Sequence, residues 1–323
     1  MKKVAWGILY VLIVLVVAAV TAYYFCTRID VLSRTFKNNP GSYSVAKDLK
    51  YGKGVQNNFD LYLPKDKKNQ SGQSKGKDES HFPLVVWIHG GGFVSGDKKD
   101  AASAKDAATR GYVSASVNYT TNTDDHPSNL DKMYTEIKNS VKAVVVQAKQ
   151  HGYPVNQMAI TGESAGGTLA MMYAFRDGKN SPVPLKFVFQ EVGPASFQPE
   201  DWADSNGDIK GYGKEKKKFL TELTGVHLSD YDMEDGSYHE LAERVSPYHY
   251  VSANSVPMLM AYGKKDRIVP FKVHNRLLSA LDSNHVPYDY VVFPRSGHGL
   301  YSDPGQAKKY IDKLGDYYAK YFD

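Results

Sequence analysis

The stretch Ile160-Thr161-Gly162-Glu163-Ser164-Ala165-Gly166-Gly167 constrains everything else in this chain. It links a strand-like Met158-Ala159-Ile160 to a helix-like Leu169-Ala170-Met171-Met172-Tyr173 through Gly-x-Ser-x-Gly. A serine at so sharp a strand-to-helix turn is held in a strained backbone conformation, its hydroxyl proud of the sheet edge. Strand and helix approach closely there, which leaves no room for side chains at 162 and 166. The helix opening at Ala165 points its free N–H groups at whatever Ser164 attacks. The five letters alone match many glycine-containing turns; the flanking strand and helix make the match specific.

A serine hydroxyl is a poor nucleophile at neutral pH. It needs a base, a group that orients the base, and donors for the oxyanion that forms. All three occur after apolar, strand-like runs. His298 lies in Pro294-Arg295-Ser296-Gly297-His298-Gly299, after the run Tyr288 to Phe293. Asp266 follows the run Val256 to Tyr262, and its carboxylate would hold the imidazole tautomer. Taken singly, each is an ordinary loop residue; in the order Ser164, Asp266, His298 they form a catalytic set. The buried-strand pattern Leu84-Val85-Val86-Trp87-Ile88 runs straight into His89-Gly90-Gly91-Gly92-Phe93. These glycines let the main chain approach a carbonyl oxygen, so oxyanion donors are expected there and at Ala165. His89 is expected to brace this loop rather than transfer protons.

The chain alternates strands and helices from its middle onward. Tyr43 to Tyr51 and Asn58 to Leu63 read as an antiparallel pair. Asp97 is expected to cap an alanine-rich helix reaching Arg110, and Tyr112 to Tyr119 is the next strand. Leu130, Met133, Ile137, Val141, Val144 and Val145 recur at helical spacing. Pro184 to Val192 is a strand, and Val273, Leu277 and Leu281 mark a helix. Asp303-Pro304 opens a final helix, with Asp303 as cap and Ala307, Ile311, Leu314 and Tyr318 as its inner stripe. Such alternation implies a mostly parallel, twisted sheet with helices on both faces. Residues 43–323 form that domain. Residues 196–255, polar, tyrosine-rich and broken by glycines, read as an inserted cap. The run Pro64 to His81, with no apolar residue except Pro64, cannot bury anything and reads as a mobile surface loop.

His89-Gly90-Gly91-Gly92, Gly162 to Gly167, the Asp266 segment and the His298 segment together resemble the α/β-hydrolase esterases of the hormone-sensitive-lipase and carboxylesterase type. The resemblance covers residues 43 to 322. It implies hydrolysis of carboxylic esters through an acyl-serine intermediate without a cofactor, with Gly91, Gly92 and Ala165 as the oxyanion donors. Glu163 stands where many such proteins have aspartate, and Thr120 where many have arginine. The cap is a mid-chain insertion rather than an N-terminal helical one. These departures bear on the subfamily. A small-molecule ester, short-chain or carbohydrate-linked, is the expected substrate. An exopeptidase on the same fold and a non-catalytic surface adhesion protein are the alternatives.

The N-terminus carries a separate signal. Lys2 and Lys3 precede an apolar run from Val4 to Phe25, which at about 1.5 Å per residue reaches about 33 Å, just over a bilayer's hydrocarbon core. Residues 1–27 read as a single-pass transmembrane anchor and 28–42 as a stalk. The two lysines then favour a catalytic domain outside the cytoplasm. A cleaved signal peptide ending near Val20-Thr21-Ala22, and a lipid on Cys26, are the alternatives. Cys26 is the single cysteine, so the domain has no internal disulfide. The net charge of +5 is small and its lysines sit in polar loops, which argues against a nucleic-acid surface. Asp204, Asn206, Asp208 and Glu215 fall at calcium-loop positions, but Ile209 stands where that loop needs glycine, so a plain polar turn is expected. No metal site is assigned.

Overall fold

The computed structural model describes residues 16–17, 42–65, 81–209 and 213–322. The segments expected to form an anchor (1–27) and a stalk (28–42) lie outside these residues, apart from Ser42 and from Val16 and Val17, which are helical and exposed. Among the described residues no helix is long and apolar enough to cross a membrane.

Eight strands form one sheet: β1 (Tyr43–Lys50), β2 (Asn58–Pro64), β3 (Phe82–Ile88), β4 (Val113–Val117), β5 (Val155–Glu163), β6 (Leu185–Glu191), β7 (Met258–Gly263) and β8 (Tyr288–Phe293). Their order is β1-β2-β4-β3-β5-β6-β7-β8. The first two strands are antiparallel, as the alternation of residues 43–63 implies, and β2 also pairs antiparallel with β4. From β4 onward every pairing is parallel. Among the described residues these α-helices connect or cover the strands: α1 (Ala102–Thr109), α2 (Leu130–Gln150), α3 (Ala165–Met172), α4 (Pro199–Trp202), α5 (Lys216–Thr224), α6 (Asp230–Glu234), α7 (Tyr238–Arg244), α8 (Asn275–Ser283) and α9 (Pro304–Tyr321).

Side chains alternate across a strand, so a strand that is apolar at every position must be covered on both faces. In β3, Leu84, Val86 and Ile88 pack with Met133, Ile137, Val141 and Val144 of α2. Val85 and Trp87 turn to the other face, which α9 and α1 cover. The parallel strands β3, β5, β7 and β8 all deliver their C-terminal ends to one edge, where ligands bind in open α/β sheets. Residues between β6 and β7 form α4 to α7. Phe219, Leu220, Tyr238 and Ala242 from this stretch join the α2-side core, and Phe197 faces Phe93 at 6.1 Å.

Three local expectations are corrected. Asp97 does not cap α1. The helix begins at Ala102 with Ala101 as an N-cap lacking a side-chain bond, while Asp97 accepts from the Lys99 amide at 2.9 Å. Asp303 occupies the N-cap position of α9, with Pro304 in the first turn, but its carboxylate does not cap the helix. The inner stripe of α9 is Ala307, Tyr310, Leu314, Tyr317 and Tyr318; Ile311 is only partly buried at its margin. At the calcium-loop spacing, Asp204 accepts from the amides of Asn206 and Asp208 at 2.7 and 3.1 Å, an ordinary turn.

Candidate active site

Ser164 has φ 52° and ψ −123°, left-handed backbone that a side chain adopts only under constraint. Two glycines impose it. A Cβ on Gly162 would meet the Gly166 carbonyl carbon at 2.4 Å, and one on Gly166 would sit 2.1 Å from the Ile88 carbonyl oxygen. β5, α3 and the end of β3 are therefore stacked backbone on backbone. The Ser164 amide donates to the Glu191 carbonyl at 2.9 Å, and its own carbonyl accepts from Thr168 at 3.1 Å.

The loop after β8 brings His298 to this serine. Its Nε2 lies 2.9 Å from Ser164 Oγ, and its Nδ1 lies 2.7 Å from Asp266 Oδ2. A carboxylate only accepts, so Nδ1 carries the proton and Nε2 is left to accept from the serine hydroxyl. The Asp266 side chain is 2 % exposed and that of His298 21 %. Asp266 Oδ1 accepts from the amides of Ile268 and Val269 at 2.8 and 3.0 Å, which fixes the other oxygen toward the imidazole.

Two supports of the His298 loop escape a reading of the motifs. Its backbone crosses directly over the end of β7, where a Cβ on Gly263 would meet the Gly297 and Ser296 carbonyl oxygens at 2.4 and 2.6 Å. Asp303 closes the loop's base, accepting from the Arg295 amide and Ser296 hydroxyl at Oδ2 and from Arg295 Nε at Oδ1. Burial alone would push the Asp303 carboxyl up. The hydrogen bonds from Ser296 and Arg295, with the guanidinium's charge, outweigh it and hold the group below its ordinary value.

The glycine loop after β3 lies against the same turn. A Cβ on Gly90 would sit 3.3 Å from Ser164 Cβ. Gly91 and Gly92 have φ of 107° and 62°. The Gly91 carbonyl is turned into its own loop, accepting from the amides of Val94 and Ser95, while the N–H groups of Gly91, Gly92 and Ala165 donate to no acceptor among the described residues. His89 is buried, stacked on Tyr119 at 4.3 Å, with Nδ1 2.7 Å from the Gly90 carbonyl oxygen. Burial pushes its imidazole pKa down, so it is neutral and holds the loop's shape, the bracing expected of it.

A hydroxyl, an imidazole and a carboxylate thus form one hydrogen-bonded line beside unengaged main-chain amides. Such a set can deprotonate a hydroxyl and hold a tetrahedral oxyanion. The fold is that of α/β-hydrolase esterases. A truncated carbohydrate esterase from gut microbiota superposes with a TM-score of 0.65 at 17% identity, over 86% of this chain and 96% of that one. Dipeptidyl aminopeptidase BIII of Pseudoxanthomonas mexicana is 26% identical over 257 residues, 74% of this chain and 33% of its own. Esterase LipI of Mycobacterium tuberculosis is 28% identical over 113 residues, 34% of each. The chain spans about a third of the length of these curated relatives. A family model matches residues 59–281, well over half of the sequence, and the chain belongs to the BD-FAE family.

Proposed function

We propose that the protein is a serine carboxylesterase that cleaves short-chain or carbohydrate-linked esters through an acyl-serine intermediate. Ser164 Oγ attacks the ester carbonyl while His298 Nε2 takes its proton. Asp266 holds the imidazole and stabilises the imidazolium, and the amides of Gly91, Gly92 and Ala165 receive the oxyanion. The leaving alcohol takes its proton from His298. Water then repeats the sequence on the acyl-enzyme and restores Ser164. The single observation that carries this reading is the unbroken line Ser164 Oγ, His298 Nε2, His298 Nδ1, Asp266 Oδ2, with both contacts inside hydrogen-bond range. Similarity to a carbohydrate esterase in fold supports the carbohydrate-linked class.

The test is hydrolysis of p-nitrophenyl acetate by wild type and Ser164→Ala, followed by a panel of graded acyl esters and acylated sugars. Turnover by the wild type and its loss in the variant is the expected result; near-wild-type hydrolysis by Ser164→Ala rules the mechanism out. An exopeptidase is the second reading, favoured by the peptidase relative. Dipeptide amides in the same panel separate the two. We also propose that Val4 to Phe25 tethers the domain outside the cytoplasm. Retention in the membrane pellet after an alkaline carbonate wash is expected, and release into the supernatant refutes it.

A further inference from the structure

Among the described residues Lys98 is the one lysine or arginine that is buried, at 4% exposure. An ammonium leaves water only where opposite charge and hydrogen bonds replace its hydration. Lys98 Nζ reaches two carboxylates, Asp60 on β2 and Asp48 on β1, the second at 2.9 Å. Burial alone would push the ammonium's pKa down. The hydrogen bonds and charges of the two aspartates outweigh it and hold the group above its ordinary value. The strands place both acids. Asp60 is the register partner of Ser116 on β4, and Ser116 is registered with Trp87 of β3. Asp48 sits where the β1–β2 register shifts, with φ 56°, a left-handed conformation that aspartate tolerates. Its amide donates to Asp60 Oδ1 at 2.9 Å and its carboxylate is left for Lys98.

The main chain of Lys98 is held as firmly. Its amide donates to Asn118 Oδ1 at 2.5 Å, and its carbonyl accepts from the Ser116 hydroxyl. From there back to the glycine loop the chain has no slack. Asp97 accepts from the Lys99 amide at 2.9 Å and from Asn118 Nδ2 at 3.4 Å. Gly96 lies flat on the start of the loop, where a Cβ would collide with His89 Nδ1 and the Gly90 carbonyl oxygen. The Gly91 carbonyl accepts from the Val94 amide at 3.1 Å and from the Ser95 amide and hydroxyl at 3.0 Å. A shift at Lys98 is therefore passed on to the amides of Gly91 and Gly92.

We propose that Lys98 is a positioning residue of the oxyanion hole. Its buried bonds to Asp60 and Asp48 tie the glycine loop to the antiparallel edge of the sheet, and so set where the Gly91 and Gly92 amides stand beside Ser164. The inference rests on the reading of those amides as oxyanion donors. Lys98 moves no proton and acts only through the loop. Donors serve the transition state only when they meet the oxyanion at about 3 Å, and a misplacement of about 1 Å costs about 100-fold in rate. The loss falls on kcat rather than KM, because the charge on that oxygen exists only in the transition state.

The experiment compares wild type, Lys98→Met, Asp48→Asn and Ser164→Ala well below their melting temperatures. It measures kcat and KM with p-nitrophenyl acetate, and inhibition by a short alkyl trifluoromethyl ketone. Ser164 Oγ adds to the ketone carbon, its proton passes to His298 Nε2, and the carbonyl π pair is left on the oxygen as a stable oxyanion. Near-ultraviolet circular dichroism establishes that each variant is folded. Lys98→Met is expected to lower kcat about 100-fold with KM unchanged, and to weaken the ketone by a similar factor. Asp48→Asn keeps the volume and the backbone at the exposed end of the cluster. It is expected to lower kcat and ketone affinity together by a smaller factor. A folded Lys98→Met with wild-type kcat and ketone affinity overturns the proposal, even if its melting temperature falls, since the cluster then serves stability alone. So does a fall in kcat with ketone affinity unchanged. Should Lys98→Met not fold, wild-type kcat and ketone affinity in Asp48→Asn overturn it. Turnover retained in Ser164→Ala overturns the enzymatic reading instead, whatever Lys98→Met shows.

Discussion

The Ser296 hydroxyl donates to the Asp303 carboxylate at 2.7 Å, across the base of the loop that carries His298. Asp303 is 3% exposed and its second oxygen takes the Arg295 guanidinium at 2.9 Å. Replacing it with alanine leaves the Ser296 hydroxyl buried without its acceptor, which costs about 1–3 kcal/mol. It also frees the loop that sets the His298–Ser164 distance. We expect Asp303→Ala to lower both the melting temperature and kcat, with KM little changed. Because the Asp303 carboxyl is held below its ordinary value of 3.8, its contribution is present above that pH and is lost as pH falls through its depressed value. Acid unfolding of wild type and variant should therefore converge at low pH. Two melting curves that stay equally separated down to full protonation would contradict this role.

Asp266→Asn separates orientation from burial. The two backbone amides of Ile268 and Val269 that bind Oδ1 would still find an acceptor in the asparagine carbonyl. The amide NH2 would then face His298 Nδ1. A donor opposite Nδ1 selects the tautomer with the proton on Nε2, which cannot accept from Ser164. We expect kcat to fall on the order of 10⁴-fold while the fold survives, as for a triad whose base is locked in the wrong tautomer. Stopped-flow acylation rates measure the step directly, and a loss under tenfold would show that Asp266 does not set the tautomer.

The strand-to-helix turn at Ser164, the order of Asp266 and His298, and the glycine loop at Gly90 to Gly92 were legible because they use residues few other structures require. Gly162 and Gly166 announce the close backbone contact between β5 and α3. What escaped is the choice among competing partners. Asp97 and Asp303 both stand at positions where a helix cap is chemically reasonable, yet the carboxylates answer other donors: Asn118 and the Lys99 amide for one, Arg295 and Ser296 for the other. Ile311 loses its inner place to Tyr310 and Tyr317 because aromatic rings fill the α9 face against Phe187 and Gln190. The short helices α4 to α7 leave little periodicity to read. They are held from outside, by the Arg276–Asp201 pair at 2.7 Å and by Lys272 donating to the carbonyls of Glu200 and Ala203. That Glu163 and Glu191 end β5 and β6 as register partners follows from the sheet, and no local pattern contains it.

Gly263 tests the crossing of β7 by the His298 loop. A methyl group there meets two carbonyl oxygens of the loop backbone at 2.4 and 2.6 Å, so no side-chain rotation relieves it. The loop must lift, at a cost of about 1–3 kcal/mol, and with it the Lys265 amide bond to the Ser296 carbonyl at 2.9 Å. We expect Gly263→Ala to fold with a lowered melting temperature and to lose most of its esterase activity. Gly315→Ala, in α9 and away from the site, is the control, since a Cβ there touches nothing within 4 Å. Gly263→Ala retaining wild-type activity would show that the loop tolerates displacement.

Glu191 allows a test of stability that needs no substrate. Burial, helped by the Glu163 charge, raises its carboxyl in the folded protein from 4.5 to about 8. The folded state then holds a proton that the unfolded chain releases above about 4.5, so between these values the folded state binds more protons and stability falls as pH rises. The group favours the fold fully below its unfolded pKa, and that contribution is lost as pH rises through the folded value. Glutamine copies the protonated form at every pH. Glu191→Gln should therefore melt close to wild type at pH 5 and above it at pH 9, with the gap opening across that interval. The readout is the melting temperature by differential scanning calorimetry at matched ionic strength. A gap that is constant with pH would assign the effect to packing alone. A variant less stable than wild type at pH 9 would show that the ionised carboxylate has a cationic partner in solution.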